Sequence, residues 1–328
     1  MVRDDLTYPE SRHASDGIIS VDGAGAAVLV PATSANLGPG FDSFGLALDL
    51  FNRFEAELSD EWSVAIRGEG AETLSAGADN LVARSMARAF EEAGQPDLRA
   101  SIRCVNAIPT GSGLGSSSAA IVGGLLLAEG LARADFGDRR RLEIAADIEG
   151  HPDNVAAALF GGFTVCWMEY GLARCARFEP ARGLATVVVP AMGELATDTA
   201  RAMLPDAVPH KDAAFNVAHA GLLSAAIVSG RPDLLGAALD DRLHEPYRAA
   251  AVADLRQVGS ILQDAGAAGV ALSGAGPTVI GLVAADTDEA AFALAEDVAD
   301  RAAARVKALG SRRAPQALRV DRTGARVL

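Results

Sequence analysis

Cysteine is scarce: Cys104, Cys166 and Cys175 are the three in a chain of 328 residues. An odd number without metal-ligand spacing argues against a disulfide framework and a zinc site, and it suits a reducing cytoplasm. Positive charge is also short, with 29 lysines and arginines against 43 aspartates and glutamates and a formal charge of −14. Such a surface repels polyanions, so neither nucleic acid nor an anionic membrane is an expected partner, and any phosphate site must be local. No stretch of 18 or more residues is apolar without interruption by charge or helix breakers, so no membrane span is expected. The first two dozen residues, MVRDDLTYPESRHASDGIISVDGA, lack the central apolar run of a signal peptide, and residues 1–25 are expected to form a flexible tail.

What is present is a hydrophobic half of the chain, enough to build one large or two ordinary domains. No Pro/Ser-rich linker or internal repeat divides it, but the texture changes after about Pro180, so domains are expected over 26–180 and 181–328. From Ala26 an apolar strand, a Gly/Pro-rich turn and a second apolar run follow one another. FNRFEAEL and EWSVAIRGEG alternate as antiparallel strands do. NLVARSMARAFEEAG reads as an amphipathic helix with Asn80 at its N-cap, and LRASIRCVNAIP as a strand. SSSAAIVGGLLLAEGLARA is apolar on nearly every face, as a buried helix is. Helices are also expected over RRRLEIAADIEG, near Thr197 to Met203, from about Asp212, and over DEAAFALAEDVADRAAARVKAL.

Between that strand and the buried helix lies PTGSGLGSSSAA, a glycine loop with no lysine. Gly111, Gly113 and Gly115 let the backbone turn its N–H groups inward, and the positive end of the helix dipole points to the same place. That is an anion site, although the spacing fits neither a Walker A loop nor a dinucleotide fingerprint. Ser116 and Ser117 have the chemistry to cap the helix, bond phosphate oxygens or ligate Mg²⁺, while an ordinary glycine turn with a serine cap explains the same residues. A second cluster, EGHPDNV, sets Glu149, His151, Asp153 and Asn154 between apolar segments; its bland reading is an Asx cap over a packed histidine. In SANLGPGFDSFG, Asn36 and Asp42 flank a tight turn that needs glycine and proline but not that pairing. SGAGPT, with Ser273, Gly274, Ala275 and Gly276, is a second small-residue loop after a strand. Thr197, Arg201 and Arg248 complete the candidates, since arginine clamps carboxylates with paired hydrogen bonds but is also a common surface residue.

Taken in order, PATSANLGPGFDSFGLAL, IPTGSGLGSSSAA and ALSGAGPTVIGL resemble the three motifs of the GHMP kinase superfamily. EGHPDNVAAALFGGF and TARAMLP resemble signatures of its homoserine kinase branch, and the similarity runs from Val28 to the C-terminus. The resemblance implies an α+β chain of two domains, the first like ribosomal protein S5 domain 2 and the second ferredoxin-like. It implies transfer of the ATP γ-phosphoryl group to the side-chain hydroxyl of L-homoserine on the route to threonine, in a cytoplasmic homodimer using ATP and Mg²⁺. Carried over by position, Pro109, Gly111, Ser112, Gly113, Leu114, Gly115, Ser116, Ser117 and Ser118 would cradle the phosphates, with Asn80 near the adenine. Glu149 with Ser116 or Ser117 would hold Mg²⁺. Asn36 and Asp42 would meet the ammonium and hydroxyl end, and Arg201 and Arg248 the carboxylate, with Thr197 nearby. His151, Asp153 and Asn154 would line the reacting centre. Asn154 stands where sugar and mevalonate kinases of the superfamily carry an aspartate, so the favoured mechanism has no strong protein base, and Asp153 as base is its competitor.

Overall fold

The computed structural model describes residues 25–328, so the expected tail, but for Gly25, lies outside the described residues. Strands β1 (Gly25–Ala35) and β2 (Phe44–Ser59) pair antiparallel around the turn that carries Asn36 and Asp42. The second apolar run and FNRFEAEL are one continuous strand, because a register shift between Pro31 and Ala32 on β1 lets the ladder run on past the proline. β4 (Arg99–Asn106) lies antiparallel to β2. β3 (Ser63–Gly68) pairs with β4 in parallel, not in the antiparallel manner its alternation suggested. The reason is the crossover: helix α1 (Leu81–Glu92) separates the two strands in sequence.

Helices α2 (Ser116–Ala132), α3 (Gly137–Glu149) and α4 (Asp153–Phe160) follow, and the hairpin of β5 (Phe163–Glu169) and β6 (Leu172–Phe178) extends the sheet beside the start of β2. The apolar character of α2 is explained by burial: Ile121, Val122, Leu125 and Leu127 join Leu46, Leu48 and Phe54 of β2 in one core. Gly45 of β2 lies under the first turn of α4, where a Cβ would stand 2.4 Å from Asp153 O and 2.9 Å from Ala157 Cβ. A side chain there would lift the corner that carries the polar cluster.

The second sheet contains β7 (Leu184–Val189), β8 (Gly269–Leu272), β9 (Val279–Ala284) and β10 (Gln316–Arg319), all antiparallel in the order β10-β7-β9-β8. With helices α9 (Leu255–Ala265) and α10 (Asp288–Leu309) packed on it, this is the ferredoxin-like arrangement. Between β7 and β8 run α5 (Thr197–Arg201), α6 (His210–Ser229), α7 (Pro232–Ala238) and α8 (Glu245–Arg248). The boundary expected near residue 180 falls between β6 and β7, but the chain end does not stay with the second sheet. β11 (Arg326–Val327) returns to pair with β1 and covers its edge.

Among the described residues, α6 is long and apolar enough to cross a membrane by length and composition, with a mean hydropathy of 1.2. Its polar residues are nevertheless used within the fold. Asn216 donates to Asp241 Oδ1 at 2.7 Å and to Pro39 O at 3.3 Å, which ties α6 to the turn after β1.

The four-residue α8 is held at its start. Asp241 accepts from the backbone N–H groups of Leu243, His244 and Glu245, and the Glu245 carboxyl accepts from Leu272 N at 2.6 Å, at the end of β8. Burial raises the Glu245 carboxyl to about 8, with the Leu272 N–H opposing and Asp241 and Asp240 adding to the rise. In the unfolded chain it would ionise near 4.5, so between these values the folded state holds the extra proton and stability falls as pH rises. We predict that Glu245→Gln flattens the decline of Tm between pH 5 and 9, leaving the variant more stable than wild type at pH 9 by on the order of 5 °C. Parallel Tm curves for the two proteins would contradict this.

Candidate active site

The glycine loop delivers its backbone to the N-terminus of α2. Gly111, Gly113 and Gly115 all have positive φ, at 57°, 86° and 70°. Gly115 itself is the N-cap, and among the described residues no side chain caps the helix, so of the uses open to the serines the cap is not the one adopted. The physical consequence is that the helix end stays open. No acidic residue lies in the first turn, and the uncapped N–H groups face the pocket with the full positive end of the dipole.

The serines instead bind the carboxylate opposite. Ser117 Oγ and Ser118 Oγ donate to Glu149 Oε1 at 2.7 and 2.9 Å, fixing Glu149 at the end of α3 beside the phosphate loop. Ser116 lines the pocket with no side-chain hydrogen bond among the described residues. Ser116, Ser117 and Glu149 thus place three hard oxygen donors on the cleft wall, which fits Mg²⁺ bound chiefly by a triphosphate. Among the described residues no group of three or more His, Cys, Asp or Glu could hold a metal unaided.

After Glu149, Gly150 in the left-handed region ends α3 and turns the chain into His151–Pro152–Asp153. Asp153 is buried, and its Oδ1 accepts from Asn154 N and faces His151 Nδ1, both at 2.7 Å. Burial works against a charged His151 ring, but the Asp153 hydrogen bond and charge, with Glu149 and Asp42 behind them, outweigh it and raise its pKa. Asn154 sits in the first turn of α4, not at its cap, and its Oδ1 accepts from Thr33 Oγ1 at 2.8 Å. Thr33, on β1, fixes the orientation of that amide.

The motif-one turn supplies the opposite wall. Asn36, Leu37 and Asp42 have positive φ without being glycine, at 65°, 49° and 55°. Asn36 stabilises this geometry: its Oδ1 accepts from Asp42 N at 2.9 Å, and its Nδ2 donates to Gly274 O at 2.7 Å. Its amide keeps a second N–H and still lines the cleft. Asp42 and Arg201 form a two-pronged ion pair, 2.8 and 2.9 Å, at the lip of the pocket. Arg248 lies buried beside them, and both guanidinium carbons stand 5.6 Å from the centre of the Phe41 ring. Burial and the neighbouring Arg201 charge lower the Arg248 pKa, against the opposing charges of Asp42, Asp241 and Asp153.

These residues meet in one cleft enclosing about 210 Å³, with Thr197, Leu195, Gly274 and Gly276 also in its walls. Asn80, Pro109, Leu114 and Ser118 are not in the lining of this cleft. Asn80 caps α1 through Val82 N, with its Nδ2 on Ser75 O, and does not line the cleft. Leu114 is core, Pro109 O accepts from Ser112 Oγ, and Ser118 is buried behind Glu149. Ser273 donates to Gly113 O at 2.7 Å, bolting the third motif to the second. The sequence reading missed Thr33, Phe41, Leu195 and His244. The last carried a legible signal, a histidine four residues before an arginine already singled out.

Residues 80–162 match the family model described as "GHMP kinases N terminal domain" and residues 223–311 match "GHMP kinases C terminal". The chain is 47% identical over 278 residues to the homoserine kinase of Streptomyces coelicolor, spanning 83% of this chain and 89% of that protein. To that of Streptomyces avermitilis it is 45% identical over 309 residues, or 93% and 96%. The crystal structure of homoserine kinase from Cytophaga hutchinsonii superposes with a TM-score of 0.81 at 26% identity, covering 94% of this chain and 99% of that one. The chain belongs to the homoserine kinases of the GHMP kinase family.

Proposed function

We propose that the cleft phosphorylates L-homoserine on its side-chain hydroxyl with ATP, and that the residues divide the work as follows. The observation that carries the reading is the convergence of Asp42, Arg201 and Arg248 within one pocket with the open end of α2. A kinase for an alcohol without ammonium and carboxylate groups has no use for that trio. A zwitterion does: its ammonium takes one side of the Asp42–Arg201 pair and its carboxylate the other, with Arg248 completing the clamp. The phosphates of ATP lie along Gly111 to Ser117, where backbone N–H groups and the helix dipole replace the absent lysine.

Mg²⁺, held by Glu149 with Ser116 or Ser117, would neutralise charge on the transferring phosphoryl group. The reacting hydroxyl then lies near His151, Asp153 and Asn154. Asp153 Oδ1 is already engaged by His151 and by Asn154 N, which favours an orienting role for this carboxylate. The Asp153 contact that raises the His151 pKa favours the charged ring, which would add positive charge next to the phosphates. In this scheme the hydroxyl proton leaves late, to a phosphate oxygen, since a loose transition state asks little of a base. Thr197, at the start of α5 on the cleft wall, supports the substrate end. A cytoplasmic homodimer is part of the same proposal and rests on the family resemblance.

In a coupled assay with Mg·ATP, L-homoserine should be turned over in preference to L-serine, L-threonine, mevalonate and shikimate; no turnover of homoserine would overturn the assignment. Arg201→Met and Arg248→Met should each raise KM for homoserine by roughly 100-fold while leaving KM for ATP within about twofold, as expected for a lost charge-assisted contact. Asp153→Asn should keep kcat within about tenfold of wild type, whereas a loss of several orders of magnitude would make Asp153 the base. Glu149→Gln should shift the Mg²⁺ concentration for half-maximal rate upward by about tenfold or more, and an unchanged Mg²⁺ titration would remove Glu149 from the metal site.

A further inference from the structure

Arg248 is buried beneath the cleft, yet its hydrogen bonds to the backbone are weak: Nε reaches Ala200 O at 3.4 Å and Nη1 reaches Gly274 O at 3.3 Å. Its shortest bond is to a side chain, with Nη1 standing 3.0 Å from His244 Nδ1. His244 is itself fully buried, and its other ring nitrogen, Nε2, lies 2.8 Å from Gly38 O in the motif-one turn. These two contacts fix the chemical state of the ring. A guanidinium only donates, so Nδ1 must be the bare acceptor. A carbonyl only accepts, so Nε2 must carry the proton, and Asp241 Oδ2, 3.8 Å from Nε2, favours it there. A second proton would set an N–H against the N–H of Arg248.

We propose that His244 is a positioning residue for the carboxylate end of the substrate: neutral and protonated on Nε2, it anchors to Gly38 and aims the Arg248 guanidinium into the cleft. Arg248 Nη2 makes no hydrogen bond among the described residues and is the group left over for the ligand. Phe41 completes the socket, with its ring centre 5.5 Å from that of His244 and 5.6 Å from the guanidinium carbon. Burial and the Arg248 charge lower the pKa of the ring and Asp241 opposes them, the net direction being down, which keeps the ring neutral. The role rests on reading the cleft as the homoserine site.

Two substitutions separate aiming from mere packing. His244→Asn keeps an oxygen near the Nδ1 position and so an acceptor for Arg248, while His244→Gln keeps a donor toward Gly38 but withdraws that acceptor. With homoserine as substrate, His244→Asn should stay within about threefold of the wild-type KM, and His244→Gln should raise it roughly tenfold, the worth of one orienting hydrogen bond, with KM for ATP unchanged in both. In an Arg248→Met background His244→Gln should add no further loss. The reverse order of the two variants, or a full additional loss in that background, would overturn the proposal. A wild-type measurement decides independently of how the variants fold. ¹⁵N ring correlations should show one histidine in the Nε2–H form whose shifts are constant from pH 5.5 to 8.5, and absence of any such ring overturns the assignment. Failure of wild type to use homoserine would instead sink the substrate reading, and the ring state would still be read directly.

Discussion

Two glycine loops meet backbone to backbone at the centre of this molecule. At Gly113 a Cβ would lie 2.4 Å from Ser273 O and 2.7 Å from Gly276 O, so a side chain there would force the second and third motifs apart. Ser273 then spans the contact by donating to Gly113 O, and Thr278 N donates to Ser112 O at 3.0 Å. This contact joins the two sheets where the phosphate loop begins. The open end of α2 and the walls of the cleft inherit their spacing from it.

From that junction the substrate end is built by a chain of hydrogen bonds. Gly274 O accepts from Asn36 Nδ2, which holds the motif-one turn, and also lies within reach of Arg248. Gly38 O, in the same turn, receives His244. Asp42, Arg248 and the third motif are thus fixed relative to one another by buried polar groups that have few alternative partners. Buried networks of this kind specify geometry because leaving any member unpaired is costly.

The end of the cleft beside α2 is arranged more simply. Two serines of one helical turn orient one carboxylate across the loop, and the chain then needs only a glycine turn to bring His151, Asp153 and Asn154 to the cleft wall. Asn154 is oriented by Thr33 from β1. The corner works as a set of oriented dipoles and one His–Asp pair, which suits a reaction governed by positioning and charge.

Much of this was legible in the sequence. The glycines at every second position, the buried helix after them and the absence of a lysine defined an anion site of backbone type, because those features follow from local conformation. Asp42, Arg201 and Arg248 could be singled out as chemical types, but only the fold brings them together, since they lie on three segments separated by 159 residues between Asp42 and Arg201 alone. Asn80 and Leu114 show what a motif position leaves open: the Asn80 side chain caps α1 and the Leu114 side chain packs in the core. The parallel pairing of β3 with β4 and the return of β11 to β1 were not readable, because strand partners are chosen by long-range packing and edge coverage. The sequence by itself determined which groups could bind phosphate and a zwitterion. The tertiary structure decided which of them face the cleft and which, like His244, act from behind its wall, because burial and hydrogen-bond partners are set only when distant segments pack.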